Sequence, residues 1–400
     1  MKVLQINSVC GVGSTGRIAA DIHRVLKQNG HESKIAYGRG EAKGVSPDDT
    51  IKIGTDRDIY AHVIQSRLTD RTGFYSKSAT QKLIRSIEEY NPDVIHLHNI
   101  HGYYINIKLL FDYIKKAGKP VVWTLHDCWA FTGHCAHFDY CGCEKWKTEC
   151  DKCPQLNQYP KSFADSSKRN YLDKKQIFNG INNMTIVTPS KWLEKLVKQS
   201  YLGNYNTQVI YNGIDLTVFK PTVSDFRARY GLEDKKIILG VASIWSERKG
   251  LDDLIQLSKK LSDDYKIVIV GKLIGDSLPA NMLHIKRTDS TKELAEIYSA
   301  ADVFVNPSYE DNFPTVNIEA LACGTPVVTY NTGGSPEAIS PSCGIVTEQG
   351  NRILLKERVE DFITAVPEIS VCTGRAGDFD KNQKVKEYIK AYGFKKERVW

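Results

Sequence analysis

Pro307-Ser308-Tyr309-Glu310-Asp311-Asn312-Phe313-Pro314-Thr315-Val316-Asn317-Ile318-Glu319-Ala320 is the stretch on which the fold turns. An apolar strand, Asp302 to Val305, precedes it. A helix from Val316 to Ala322 closes it and is ended by Gly324, and a second apolar strand, Pro326 to Tyr330, follows. Strand, loop, helix and strand in quick succession make the unit of a parallel sheet covered by helices. Pro314 suits a first helical turn, where a missing N–H costs nothing. The unbonded N–H groups of that turn attract phosphate, which makes Asn312, Thr315 and Val316 candidate contacts. Glu319 lies about one turn further in, placed to accept hydrogen bonds from sugar hydroxyls. An acidic loop before a capped helix would give the same letters with no ligand.

Outward from this unit the rhythm continues. Ser246-Glu247-Arg248-Lys249-Gly250 joins a strand, Lys236 to Ala242, to a helix, Leu251 to Leu261. Arg248 and Lys249 at a strand's carboxyl end suit a diphosphate; solvated loop charge is the plainer alternative. Strand Lys266 to Val270 and helix Leu294 to Ala300 fill the second half. The first half alternates strands Lys2 to Asn7, Ser33 to Tyr37, Asp93 to His98, Pro120 to Leu125 and Met184 to Thr188 with helices such as Thr15 to Asn29, Ala79 to Tyr90 and Ile107 to Lys116. Gln208 to Tyr211 reads as the restart. The fold class is therefore α/β, with two doubly wound Rossmann-like domains, 1–205 and 206–379, facing across a cleft. Ligands are expected beyond the strand carboxyl ends and in that cleft.

The 400 residues are 41% hydrophobic and 25% charged, which excludes a disordered chain, a collagen-like fibre and a long coiled coil. No apolar run approaches the roughly 20 residues that span a bilayer. Met1 to Asn7 turns polar too soon for a signal peptide, so a soluble cytoplasmic protein is expected. The net charge of +7 is uneven: 29 basic against 20 acidic residues in 1–200, and 25 against 27 in 201–400. Lys161, Lys168, Arg169, Lys174 and Lys175 form one dense basic stretch, and Arg57, Arg67, Arg71, Lys77, Lys82 and Arg85 form another. Confined to one half, this surplus fits an anionic membrane surface better than nucleic acid. Solvated side chains are the alternative.

After the first strand comes Gly11-Val12-Gly13-Ser14-Thr15-Gly16, a G-x-G-x-x-G loop entering a helix. A dinucleotide site also wants an acidic residue at the end of the next strand. That strand ends Tyr37-Gly38-Arg39, which at best fits NADP. Gly11 and Gly13 are read instead as a donor-facing or diphosphate-facing loop.

Together, the loop from Ser246 and the stretch from Pro307 resemble the retaining, two-Rossmann-domain (GT-B) glycosyltransferases of family 4. The family reads Glu, seven residues, then a second Glu; here the first position is Asp311 and the second Glu319. Phe313, Ala320 to Val328, Asn212-Gly213-Ile214-Asp215 and Asp93-Val94-Ile95-His96-Leu97-His98 carry the resemblance across nearly the whole chain. Trp123-Thr124-Leu125-His126-Asp127-Cys128-Trp129 and the cysteines after it are similar to colanic-acid-type bacterial exopolysaccharide glycosyltransferases. The resemblance implies that His126 binds donor hydroxyls near the reacting carbon, that Arg248 and Lys249 stabilise the leaving diphosphate, and that Asp311 holds the sugar and Glu319 the ribose. It also implies a C-terminal helix, about 380–400, that packs back on the first domain. A lone histidine such as His126 is otherwise a satisfied structural residue.

Six of the ten cysteines lie between Cys128 and Cys153. Cys135, Cys143, Cys150 and Cys153 are spaced C-x7-C-x6-C-x2-C, which suits a tetrahedral thiolate zinc; disulfides and free thiols remain open. The resemblance favours Cys143 over Cys141. The insert, 128–153, reads as long and polar with few core residues, and a metal would order it. His96, His98 and His101 form H-x-H-x-x-H, a cleft lining or, with no carboxylate evident nearby, a less complete metal triad. Asp56-Arg57-Asp58 and Asp378-Phe379-Asp380 read as solvated surface.

The expected function is transfer of a sugar from a UDP- or GDP-sugar to a saccharide acceptor, with retention. The acceptor would be free or linked to a polyprenyl pyrophosphate, at the inner face of the plasma membrane. No cofactor would be needed for catalysis, zinc at the cysteines would be structural, and nucleic acid is not a partner. The competing readings are another GT-B enzyme such as a nucleotide-sugar epimerase, an NADP-dependent oxidoreductase, and a non-catalytic binding module.

Overall fold

Two all-parallel sheets organise the chain in a computed structural model that describes residues 1–274, 278–288 and 290–393. The first contains β1 (Lys2–Asn7), β2 (Glu32–Tyr37), β3 (Thr50–Lys52), β4 (Val94–Leu97), β5 (Val121–Thr124), β6 (Met184–Thr188) and β7 (Asn206–Val209). The second contains β8 (Lys236–Trp245), β9 (Tyr265–Leu273), β10 (Met282–Ile285), β11 (Val303–Asn306), β12 (Val327–Tyr330) and β13 (Gly344–Thr347). Their strand orders are β3-β2-β1-β4-β5-β6-β7 and β10-β9-β8-β11-β12-β13. In each, the order reverses beside the first strand laid down, which creates a switch point between β1 and β4 and another between β8 and β11. Parallel strands need both faces covered, so they read as continuous apolar runs, and β4, β5, β11 and β12 are buried throughout.

The chain divides into two units, Met1–Tyr211 with the segment from Lys384 on, and Asn212–Gln383. The division falls at 211/212 rather than the expected 205/206. β7 pairs with β6, Thr185 opposite Asn206, so the segment read as the restart is the last strand of the first sheet. The strands β3, β10 and β13 were not expected; they are edge strands of only three or four residues. In the first unit, Phe111, Trp123 and Phe178 pack as an aromatic centre, with ring centroids 4.6 and 4.9 Å apart for the two pairs that include Phe178. Helix caps follow the sequence: Ser190 Oγ and Asn106 Oδ1 each accept a first-turn N–H, from Leu193 and Leu109.

The last described helix, Lys381–Ala391, enters the first unit at Lys384. Val385, Tyr388 and Tyr392 are buried there with Val3, Ile22, Val94 and Val122. Residues 394–400, the remainder of the expected helix, lie outside the described residues. Both D-x-D triplets serve local structure. Thr55 and Asp58 form a capping box on helix Asp56–Thr69, and Asp380 Oδ1 accepts the N–H groups of Asn382 and Gln383.

Candidate functional site

β8 and β11 are hydrogen-bonded neighbours, so the loops leaving their carboxyl ends start side by side. The loop after β8 makes one short turn, Glu247–Lys249, and reaches Gly250 at φ +71°. A Cβ at Gly250 would stand 2.1 Å from the Pro307 carbonyl oxygen, so only glycine lets this loop lie against the next. The contact is then tied three ways. Tyr309 N–H donates to Arg248 O at 2.9 Å, Arg248 Nη1 donates to Glu310 O at 3.0 Å, and Lys249 Nζ lies 2.5 Å from Asp311 Oδ2. Lys249 and Asp311 are each about a fifth exposed, so the pair positions charge more than it stabilises the fold.

A second glycine turn, not singled out in the sequence, supports the other side. A Cβ at Gly333 (φ +53°) would stand 1.8 Å from Asp311 O, and Gly334 N–H donates to Asn312 O at 3.0 Å. Beneath, Asn306 Nδ2 donates to Asn317 Oδ1 at 2.8 Å, and Asn317 Nδ2 to Ser335 O at 3.4 Å, which fixes helix Thr315–Ala322 to β11. No side chain caps this helix at Pro314, so Thr315 and Val316 begin it with half-exposed positions. Glu319 is nearly buried and accepts the Tyr298 hydroxyl at 3.1 Å. Burial, with Glu319 beside it, pushes the Tyr298 hydroxyl well above the usual phenol range. Arg248, Lys249, Asp311 and the start of the helix thus meet at one switch point, an arrangement of cations and helix N–H groups that suits a diphosphate. Tyr298 and Gly333-Gly334 complete it; the Gly-Gly pair after an apolar strand was the available signal.

The first unit's switch point is built from neutral groups. Gln5 Nε2 donates to Ala19 O at 3.0 Å, so Gln5 Oε1 is an acceptor and His98 Nε2, 3.1 Å away, carries the proton. Burial lowers His98 well below the usual imidazole range, so its Nδ1 is a lone pair. That lone pair accepts His126 Nε2–H at 3.1 Å, and the two rings stack at 5.4 Å. His126 is therefore an Nε2–H tautomer whose Nδ1 is an acceptor. Burial, opposed by Asp127, lowers it to about 4, so it is neutral near pH 7. His96, lowered to about 3 by burial, bonds Tyr392 and Thr124 at 2.8 Å each.

The third histidine does have a carboxylate. His101 Nε2 lies 2.8 Å from Asp127 Oδ2, and Trp129 N–H donates to Asp127 Oδ1 at 2.9 Å. Burial raises Asp127, but the His101 pairing and this N–H outweigh it and bring the group to about 2. The partner was missed because 26 positions separate the two residues.

The glycine loop has a different neighbour from the one expected. A Cβ at Gly11 (φ +68°) would stand 1.7 Å from Lys43 O, and Lys43 N–H donates to Cys10 O at 3.2 Å. Gly11 therefore makes room for the chain's own backbone. Gly13 (φ +64°) opens helix Gly13–Gln28 with open space at its Cβ position.

Cys135, Cys143, Cys150 and Cys153 line one small cavity of about 10 Å³, together with His134, Phe138, Trp146 and Lys145. Cys135 donates to Cys153, which holds the Cys153 thiol below its ordinary range and Cys135 above it. Among the described residues, no three His, Cys, Asp or Glu side chains form a ready-made metal site, so the expected ligands share a cavity without a closed ligand shell. Cys141 is exposed and is absent from the cavity lining. The insert is not poor in core residues: Trp129, Phe131, Phe138 and Trp146 are buried, and Phe138 stacks on Trp146 at 5.0 Å.

Lys174, expected on a basic surface, is instead buried. It donates to Trp129 O at 2.6 Å and lies 3.9 Å over the Trp129 ring; burial pulls it down to about 7. In the same stretch Lys168 pairs with Glu149 at 2.6 Å and Arg169 with Asp173 at 3.8 Å, so part of its charge is compensated; in the other stretch Arg71 pairs with Asp173 at 2.6 Å. Arg57, Arg67, Lys77, Lys82 and Arg85 are exposed. Helix Asp56–Thr69 is inverted: His62 and Ser66 face inward, while Tyr60, Ile64 and Leu68 are exposed.

Comparison with known proteins places this geometry. HepE of Anabaena, solved in complex with UDP, superposes with a TM-score of 0.69 at 16% identity, over 98% of this chain and 100% of that one. Sucrose-phosphate synthase of Thermosynechococcus elongatus gives 0.70 at 16% identity, over 98% of both. The fold is GT-B, two Rossmann-like domains in an α/β glycosyltransferase. The sequence profile described as Glycosyl transferases group 1 matches residues 223–370, and that described as Glycosyltransferase Family 4 matches 15–218. The chain belongs to glycosyltransferase family 4 and is an enzyme of that class. Over 98% of its length it is 28% identical to the Escherichia coli (strain K12) protein named as a colanic acid biosynthesis glycosyl transferase, WcaC, of which it covers 99%. It is 32% identical over 171 residues, 39% of each chain, to the D-inositol 3-phosphate glycosyltransferase of Mycolicibacterium smegmatis.

Proposed function

We propose that this glycosyltransferase moves a sugar from a UDP- or GDP-sugar to a saccharide carried on a polyprenyl pyrophosphate, with retention, in assembly of a bacterial exopolysaccharide, capsule or O-antigen. The observation that carries the reading is the Arg248–Lys249 loop bound to the Glu310–Asp311 loop at the second unit's switch point. In transfer, the bond from the anomeric carbon to the diphosphate breaks and a bond to the acceptor oxygen forms. Negative charge grows on the diphosphate, which takes the acceptor's proton. Arg248 and Lys249 would stabilise that charge, doing the work a divalent cation does elsewhere. The N–H groups at Thr315 and Val316 would bind a phosphate oxygen, and Glu319 the ribose. Asp311, paired with Lys249, would orient the lysine and hold the sugar. His126, as a neutral acceptor at Nδ1, would take a hydrogen bond from a donor hydroxyl and would supply no proton at neutral pH. The UDP in the HepE structure and the WcaC name support the donor class and the pathway type.

No helix among the described residues is long and apolar enough to cross a membrane. The exposed Tyr60, Ile64 and Leu68, with Arg57, Arg67 and Lys77, support peripheral docking on an anionic inner leaflet, where apolar side chains insert and cations pair with headgroups. Calorimetric titration with UDP, GDP and NADP+ tests the reading. Binding of UDP or GDP, with no heat from NADP+, is expected; binding of NADP+ alone would overturn it.

A further inference from the structure

We propose that the cysteine-rich segment of the first unit holds one structural zinc ion through Cys135, Cys143, Cys150 and Cys153. The cavity these residues share, about 10 Å³, is too small for a ligand larger than a single atom or water and is walled by sulfur and aromatic carbon. Two sulfurs on one tetrahedral zinc stand ~3.8 Å apart, given Zn–S bonds of about 2.3 Å. Cys135 and Cys153 already touch through a thiol–thiol hydrogen bond, which such an ion would replace.

Two independent features point to the same occupant. His134 Nε2 and Trp146 Nε1 line the cavity, belong to side chains only 2% exposed, and have no hydrogen-bond partner among the described residues. A buried N–H without an acceptor is costly, and for the Trp146 indole thiolate sulfur is the acceptor within this cavity. His134 Nδ1–H donates to the buried Asp70 carboxylate, which fixes the ring and leaves a lone pair at Nε2. Backbone donors already serve the sulfurs: Gly133 N–H reaches Cys150 Sγ at 3.2 Å, and Gln155 N–H reaches Cys153.

Zinc with four thiolates carries a net charge of two minus, which needs compensation in a buried place. The side chain of Lys174 supplies it, buried beside Cys150 and Cys135 and held by Trp129 O. The role is a staple: the ion would join Cys135, next to the Trp129–Phe131 turn, to the distant Cys150 and Cys153. That turn follows His126 and Asp127 directly, so the ion would steady the segment that carries them.

Elemental analysis of the full chain, purified without a polyhistidine tag from zinc-supplemented cells, reads the metal directly. About one zinc per chain is expected, released by a mercurial that titrates four thiols. X-ray absorption should show a sulfur-only shell near 2.3 Å. Cys150→Ser should lose the zinc, and Cys141→Ser and Cys372→Ser should keep it. A metal-free protein with four reactive thiols, a disulfide among the four, or iron in place of zinc would overturn the proposal. One nitrogen in the shell would overturn the four-thiolate set and make His134 the fourth ligand. The wild-type measurements decide the matter even if Cys150→Ser does not fold.

Discussion

The two units place opposite chemistry at the same topological position. At the β8/β11 switch point of the second unit stand two cations, a carboxylate and an uncapped helix start. At the β1/β4 switch point of the first stand an amide and imidazoles that burial keeps neutral, with the Asp127 carboxylate beside them tied to His101 and the Trp129 N–H. One sheet design has thus been fitted for charge and the other for oriented hydrogen bonds. The glycine loops show the same contrast. Gly250 and Gly333 bring together loops that carry ionic groups, whereas Gly11 makes room for the Lys43 backbone. A glycine fingerprint alone does not reveal which of these a fold intends.

The largest expected effect breaks the charged side. Arg248→Ala should lower transfer by about 100-fold or more, the usual scale for removing one donor to a developing anion. The thermal midpoint should hardly change, since Arg248 is half exposed and bonds only a carbonyl. Near-normal turnover would remove the charged side from the account.

A smaller effect sharpens the neutral side. Gln5→Leu frees His98 Nε2 from its acceptor and lets His126 exchange tautomers. A fall of about 10-fold in kcat is expected, with donor KM nearly unchanged, a loss at the scale of one misplaced hydrogen bond. Nitrogen-15 spectra should show His126 protonated at Nε2 in the wild type and mixed in the variant. Unchanged spectra would break the relay from Gln5 to His126.

The smallest effect concerns pH. His62 and His96, lowered to about 3 by burial, and His126, lowered to about 4, are neutral when folded and gain protons near 6.5 when unfolded. The unfolded state therefore binds more protons below pH 6.5. The stability these groups leave intact above 6.5 is lost as pH falls toward 4. The melting temperature should be flat from pH 8 to 6.5 and fall by several degrees toward pH 4.5. A flat profile to pH 4.5 would contradict the burial of these rings.

Much of this was legible in the chain. Apolar runs, Gly324 and Ser190 gave the central strands and helix ends because buried parallel strands leave continuous apolar letters. The edge strands Thr50–Lys52 and Met282–Ile285 did not, because three or four residues are too short a run to show a strand's period. Arg248 and Lys249 could be named from their position after a strand, since strand ends fix where loops begin, and Asp311 from its spacing to Glu319 in the family the chain resembles. Their mutual pairing was not legible, because it depends on Gly250 and Gly333 closing distances that sequence spacing does not encode. Lys174 misled for a related reason: nothing in Lys174-Lys175 marks which lysine turns inward onto Trp129. The Gln5–His98–His126 chain spans 121 positions and emerges only when β1, β4 and β5 lie side by side.

The central claim is that the nucleotide's diphosphate is held by the charged switch point and not by the neutral one. Calorimetric titration of UDP and GDP into wild type, Arg248→Ala/Lys249→Met and His126→Ala tests it most directly. The account predicts at least about 100-fold weaker nucleotide binding in the double variant, roughly 3 kcal/mol, with His126→Ala within about twofold of wild type. Undiminished binding in the double variant, or its loss in His126→Ala alone, would contradict it.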